Sequence, residues 1–358
     1  SGTYNVASGY KALYNNTTGS NNTASGASAL SANTTGTFNA ALGAAALRDN
    51  TTGSYNTAVG VNTLLKTTTG SGNTALGYDS LDQNTTGDYN TGFGMHSLGA
   101  ATTAVNNTAL GYQTMTSTTT GSNNTAVGRD ALYWNTTGFS NTAMGSGVLA
   151  STTTGYSNSG VGFYALNSNT TGYSNTATGD QALRYNTTGS SNTAFGNGAG
   201  FNNQTGSGNV FIGTQAGYNE TGSNKLYIDN SSTASPLIYG DFANNALTVN
   251  GTLTATGGVT TTGIYHTNGT KMLSLENGEV HLGPTSMIFT DSAISGNADI
   301  MSSTVGKVQI GKNATDTTTV VGSLNVQTPT AAAHAANKNY VDTLRKDARR
   351  YDSRSVAL

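Results

Sequence analysis

Apolar and polar positions recur along the first two thirds of the chain with a period that fits neither one helix nor one strand. An Asn stands at Asn5, Asn22, Asn39, Asn56, Asn73, Asn90, Asn107, Asn124, Asn141, Asn158, Asn175, Asn192 and Asn209, always 17 residues apart. Four residues on comes a Gly, as in Gly9, Gly77, Gly111 and Gly128, and eight residues on usually a Leu, as in Leu13, Leu81 and Leu132, with Met115 as one substitute. A second turn follows, most often Asn-Thr-Thr-Gly, as at Asn16–Gly19 and Asn186–Gly189. A unit of 17 residues with two Gly-bearing turns is too short for a helix-turn-helix. It suits one coil of a parallel β-solenoid, or β-roll, and the spacing predicts two short strands and two turns per coil. Like residues then stack in columns about 4.8 Å apart, and thirteen coils make a rod of roughly 60 Å.

The columns have separate requirements. The Gly column calls for positive φ or close backbone approach. The Asn column can bond the turn backbone or form an amide ladder. Two residues after the Asn lies a column of small residues, Ala7, Ala24, Ala41 and Ala58 among them, and the next position is bulky and apolar: Leu42, Val59, Leu76, Phe93, Leu110, Val127, Met144, Val161, Phe195 and Ile212. Neighbouring strand residues point to opposite faces, so the small column packs inside the coil and the bulky one faces away. A long exposed apolar column is rare on a soluble monomer. A homo-oligomer that buries it on a symmetry axis is therefore expected. Three-fold symmetry is the expectation, although the columns alone allow other cyclic orders.

The period fades after Asn209, which divides the chain into a β-roll at 1–223, a β-rich connector at 224–325 and a terminal segment at 326–358. In the connector, Leu226–Asp229, Leu237–Tyr239, Ala246–Val249 and Val308–Ile310 read as short strands between Asn/Gly turns. In the terminal segment Val341, Leu344, Ala348, Tyr351, Ser355 and Leu358 follow a heptad seam, the mark of a short coiled-coil neck. The fold class expected is all-β: a homotrimeric parallel β-solenoid followed by connector and neck.

Composition narrows the function. The charged fraction is 9% and net charge is −2, which excludes a globally basic nucleic-acid binder. Pro is rare and hydrophobic residues make up 35%, a poor match to plain disorder. No apolar run approaches the roughly 18 residues of a membrane span. The absence of Cys excludes disulfides and thiolate metal sites. The first residue is Ser1 rather than Met, as expected of a fragment or a mature form.

The repeat Asn-Thr-Ala-x-Gly followed by x-x-Ala-Leu resembles that of YadA-like heads in trimeric autotransporter adhesins. The likeness covers about 1–215 and, more loosely, 326–358. It implies a left-handed parallel β-roll that passes into a neck and stalk, with any membrane anchor outside these residues. The period is longer here than in such heads. The Asn-Thr-Thr-Gly repeats and Gly222–Asn230 also look like trimeric phage and bacterial tail-fibre-domain proteins, and Ala335–Asp342 is similar to a phrase found in phage fibres and adhesin necks.

No constellation for catalysis stands out. His96, His266, His281 and His334 are scattered without ligand spacing. Asp49, Asp79, Asp82, Asp88, Asp130 and Asp180 share no single column, which argues against a Ca²⁺ ladder. No cofactor and no metal are expected. Gly217–Gly222 lacks the Lys-Ser/Thr of a phosphate loop. The constant period also leaves no inserted loop to build a cleft. Binding through outward columns is the remaining chemistry. The candidates are Tyr112, Arg129 and Phe163 five residues after the Asn, with Tyr164 beside Phe163, and Tyr133, Trp134, Arg184 and Tyr185 at nine or ten. Aromatic and Arg side chains on a rigid rod suit contacts with glycans or proteins. Stacked Thr pairs such as Thr17-Thr18 raise ice binding, but they lie in a Gly-bounded turn where adjacent side chains diverge. The expected role is attachment by a non-enzymatic extracellular fibre to a host cell, matrix or other surface. The alternative is a virion tail-fibre segment.

Overall fold

The structure, a computed structural model, describes residues 2–254 and the strand segments 264–265, 271–276 and 279–282. The chain divides into two units, Ser1–Thr254 and Ala255–Leu358. Every regular element among the described residues is a strand.

The first unit is a parallel β-solenoid. Its coils contribute three-residue strands β1 (Val6–Ser8), β2 (Thr23–Ser25), β3 (Ala40–Leu42), β4 (Thr57–Val59), β5 (Thr74–Leu76), β6 (Thr91–Phe93), β7 (Thr108–Leu110), β8 (Thr125–Val127), β9 (Thr142–Met144), β10 (Ser159–Val161), β11 (Thr176–Thr178), β12 (Thr193–Phe195) and β13 (Val210–Ile212). They pair in sequence order, each residue opposite its equivalent 17 positions on, as Ala109 opposite Ala126 and Leu110 opposite Val127. The sheet crosses position 223 without a break. β14 (Lys225–Ile228) pairs parallel with β13, after which β15 (Ile238–Asp241) and β16 (Ala246–Val249) add as antiparallel strands. Val210 faces Leu226, a step of 16, because the last coil is one residue shorter. The connector strands expected near 226, 237 and 246 are therefore present. In the second unit β17 (Ile264–Tyr265), β18 (Lys271–Glu276) and β19 (Glu279–Leu282) form an antiparallel sheet. The expected strand at 308–310 and the seam through Val341, Leu344, Ala348 and Tyr351 lie outside the described residues.

Each coil holds one strand, not the two expected. The column Gly turns the chain with φ between +113° and +143°, and the residues two and four further on are also left-handed, as Asp130 at φ 56° and Leu132 at φ 52°. A chain that returns to positive φ at alternate residues cannot form a pleated strand. Its backbone still bonds from coil to coil: Leu30 N donates to Ala46 O at 3.0 Å and Ala32 N to Arg48 O at 3.0 Å. The column Gly is required twice over. A Cβ on Gly111 would lie 2.7 Å from the Gly128 carbonyl oxygen.

The Leu column is the core, and each member is strained. Leu30, Leu47, Leu64, Leu81, Leu98, Met115, Leu132, Leu149, Leu166 and Leu183 are fully buried, with φ between +50° and +53°. Left-handed backbone costs a non-Gly residue about 1–2 kcal/mol. Burying a Leu side chain returns about 1.5–3 kcal/mol, so the column holds. The small column at the strand centre packs against it and is likewise fully buried, as Ala58, Ala75 and Ala126. Departures compensate in size. Phe211 replaces the small residue, and its ring occupies the space where Gly200 and Gly217, standing in for Leu, would carry a Cβ. Gly160 likewise leaves room for Val148.

Two buried Asn columns close the coil. In the first, Asn124 Nδ2 donates to Asn107 Oδ1 at 3.1 Å and to Gly138 O at 2.9 Å, while its Oδ1 accepts from Asn141 N and Asn141 Nδ2. Donation runs in one direction, toward the lower-numbered coil, from Asn39 to Asn192. The second column, at the Asn-Thr-Thr-Gly turn, repeats the amide-to-amide bond at Asn33 to Asn16, Asn50 to Asn33 and Asn186 to Asn169, each at 2.8 Å. Where Thr interrupts it, both sides lose partners: Asn50 Oδ1 and Thr67 Oγ1 are buried and unbonded, as are Asn135 Oδ1 and Thr152 Oγ1.

Stability follows from this bonding. Asn124→Ala should cost about 2–4 kcal/mol, because it removes four buried hydrogen bonds and orphans Asn141 N. Thr152→Asn should gain about 1 kcal/mol by bonding the free Asn135 Oδ1 and accepting from Asn169. Thermal melts of both variants beside the parent check the pair. Equal melting temperatures would mean that the ladders carry no net stability.

Candidate functional site

The strand's alternation places Thr and bulky apolar residues on the outer face of the sheet. Leu42, Phe93, Leu110, Met144, Val161, Phe195 and Ile212 are exposed in the single chain, Phe195 at 61%, while Val59, Leu76 and Val127 are half-buried. Register stacks them into an apolar column that runs one per coil from Leu42 to Val161, is interrupted by Thr178 and resumes at Phe195 and Ile212, and no other part of the described residues covers it. The opposite, inward residue is the small one in every strand from β2 to β12, with Phe211 in its place in β13, so inside and outside fall as the sequence predicts.

The outward aromatic and basic residues do not form one site. Tyr112 and Trp134 are exposed, and among the described residues Trp134 meets one aromatic ring, that of Tyr133, edge to face at 4.7 Å. Arg129 is engaged by its neighbour Asp130 at 3.3 Å, and Arg48 by Asp49 in the same way. Only around Arg184 do the candidates converge. Its guanidinium carbon lies 5.0 Å from the Tyr164 ring centre and 5.4 Å from that of Tyr185, while Phe163 packs on Tyr164 with centroids 4.1 Å apart. Gln181 Oε1 accepts from Arg184 Nη1 at 3.0 Å, and Arg184 has no carboxylate partner among the described residues. A guanidinium held by rings rather than by an acid is a cation–π arrangement.

Aromatic columns missed in the sequence are as prominent. Arg184, Phe201 and Tyr218 share one column, and Phe201 stacks on Tyr218 with centroids 4.5 Å apart and 6° between planes. Phe139, Tyr156 and Tyr173 form a second stack at 4.9 and 5.0 Å, and Phe38 with Tyr55 a third. The signal was available: each set repeats at the interval of 17. The Thr pairs divide as expected. Thr17 Oγ1 donates to Thr34 O and Thr34 Oγ1 to Thr51 O, so the first Thr of a pair spends its hydroxyl on the next coil, and in the inner coils, as at Thr34-Thr35, the second is the more exposed.

One small concavity lies where the parallel sheet ends. It is about 160 Å³, lined by Tyr218, Asn219, Glu220, Tyr227, Ser232 and Thr233 with Gly217 and Ala234. Glu220 is fixed there: Oε1 accepts from Gly222 N at 2.6 Å and Oε2 from the Tyr227 hydroxyl at 2.6 Å. Burial, and then the Glu220 carboxylate, push the Tyr227 phenol well above its usual range, so it stays a donor at physiological pH. No group of three or more His, Cys, Asp or Glu able to hold a metal occurs among the described residues. No helix there is long and apolar enough to cross a membrane.

No known family matches the chain, nor does any curated protein or solved structure.

The hairpin beside the cavity carries a pH signature. Lys225 Nζ lies 2.8 Å from Asp241 Oδ2, across the pairing of β14 with β15. This hydrogen bond, seconded by Asn244, lowers Asp241 from 3.8 to about 2. A depressed carboxylate contributes stability that is fully present above its unfolded value and lost as pH falls through the folded one. Protection factors of the β15 amides, corrected for the intrinsic exchange rate at each pH, should therefore fall between about pH 4 and pH 2, and Asp241→Asn should abolish that step. An unchanged step in the variant would assign it to another carboxylate.

Proposed function

We propose that the chain is the repeat-built part of a non-enzymatic, homotrimeric extracellular fibre that attaches its bearer to a host cell, matrix or other surface. The observation that carries this reading is the outward apolar column. A soluble single chain would leave Leu76, Phe93, Leu110, Val127, Met144 and Val161 against water, and a cyclic assembly is the economical way to bury them. The constant coil supports the non-enzymatic part, since stacked coils without insertions offer outward side chains rather than a deep cleft. The resemblance of the repeat to YadA-like heads supports the three-fold symmetry and the surface location. The receptor-facing groups are then the outward aromatic and Arg residues, with Trp134 and the Arg184 cluster foremost.

Light scattering on the purified chain should give close to three copies. Leu110→Asp places a carboxylate in the buried column and brings three charges near one axis, costing several kcal/mol per unpaired charge or forcing its protonation. Tyr112→Asp, past the Gly turn, should stay within about 0.5 kcal/mol. A clean monomer at micromolar concentration, or equal melting of both variants and parent, would refute the oligomer face.

Trp134→Ala should weaken attachment to the cognate surface with the melting temperature unchanged. Undiminished attachment after removal of Tyr112, Tyr133, Trp134 and the Arg184 cluster together would move binding off the rod's sides.

A further inference from the structure

The cavity at the end of the parallel sheet has a chemistry that the outward columns lack. Its volume of about 160 Å³ is below the roughly 300–1,000 Å³ of sites for drug-sized ligands, and leaves room for one small ring. One wall is Tyr218. Phe201 covers one face of that ring in a stack with 6° between planes, which leaves the other face as a platform. The remaining wall is polar and set in place. Glu220 has each oxygen held by one hydrogen bond, from Gly222 N and from the Tyr227 hydroxyl, and each oxygen keeps a free lone pair. Thr233 Oγ1 accepts from Ser235 N, so its own proton is free to donate. Ser232 and Asn219 add further hydrogen-bonding groups, and no basic side chain lines the space.

We propose that this cavity is a saccharide subsite that takes one neutral, hexose-sized ring. The apolar face of the sugar lies on Tyr218, and its hydroxyls donate to Glu220 and accept from Thr233. Several convergent hydrogen-bonding groups around a ring-sized space favour a polyhydroxylated ligand over an apolar one. The lone carboxylate disfavours an anionic sugar, because an acid brought beside Glu220 would meet an uncompensated like charge. A quaternary ammonium could use the tyrosines and the carboxylate, but would leave the hydroxyl and amide groups without partners. The proposal deepens the attachment reading and rests on it only for the use the fibre makes of the sugar. Binding itself belongs to the isolated chain.

The test is saturation-transfer NMR on the full chain with methyl glycosides of neutral hexoses and N-acetylhexosamines, and with choline as the competing probe. Signal from at least one glycoside is expected. Tyr218→Ala, Glu220→Gln and Thr233→Arg should each weaken it about tenfold, the factor of one lost contact worth about 1.4 kcal/mol. Thr233 is exposed, so Thr233→Arg blocks the mouth without disturbing the packed coils. An unchanged melting temperature in that variant separates lost binding from lost fold. Absence of transfer to every glycoside, transfer to choline alone, or equal signal in Thr233→Arg would each overturn the subsite. A chain that binds the sugar yet fails to attach to any surface would leave the subsite standing and remove the attachment reading.

Discussion

The structure depends on the alignment of one buried amide with its copy in the next coil. A three-residue strand has too few ladder bonds to fix its own register. The Asn that precedes each strand supplies what is missing. Its Oδ1 receives the backbone N–H of the next Asn, and its Nδ2 reaches both the previous amide and the carbonyl of the Gly across the coil, as in Asn107 to Asn90 and Gly121. One side chain therefore joins three places: its own strand, the neighbouring coil and the far turn. Shifting a strand by one residue would break all three together and turn the small column outward. The left-handed Leu residues are tolerable within this frame, because a coil already pinned at both turns has no cheaper path for its backbone.

The surface follows from the same frame. Once Asn, the small residue and Leu are committed inward, the strand's third residue and the positions after the Gly face solvent by geometry. That is why a bulky apolar column and several aromatic columns lie outside, and why a ring in one coil meets a ring in the next at 4.5–5.0 Å. Cation, ring and carboxylate are distributed along the rod by column. The cavity occurs only where the period of 17 shortens to 16 and antiparallel strands take over.

The repeat, the parallel stacking and the inward and outward columns were legible because each is a property of a single coil copied along the chain. Asn124, Gly128 and Leu132 announce their roles through spacing alone. The single strand per coil was not legible. A Leu such as Leu132 gives no sign of left-handed backbone, since its propensity favours the opposite and tertiary closure overrides it. The cavity was hidden for a different reason: Tyr218, Glu220, Tyr227 and Thr233 come from the breakdown of the repeat, where column logic no longer says which residues meet. The convergence on Arg184 was half legible, because Tyr164, Arg184 and Tyr185 stood out by type while Phe201 and Tyr218 were visible only as members of its column.

A periodic rod has a particular way to misfold. Displacing one stretch by a whole coil restores every Asn, Gly and Leu contact, so the repeat by itself leaves slipped assemblies nearly as stable as the native one. The irregular coils discriminate between them. Phe211 fits only against Gly200 and Gly217, and Val148 only against Gly160. Slipped by one coil, Phe211 would meet the Leu183 position and Val148 an alanine Cβ. These few size-matched exceptions act as notches on an otherwise featureless ruler, and through them a chain of near-identical units counts its coils to one answer.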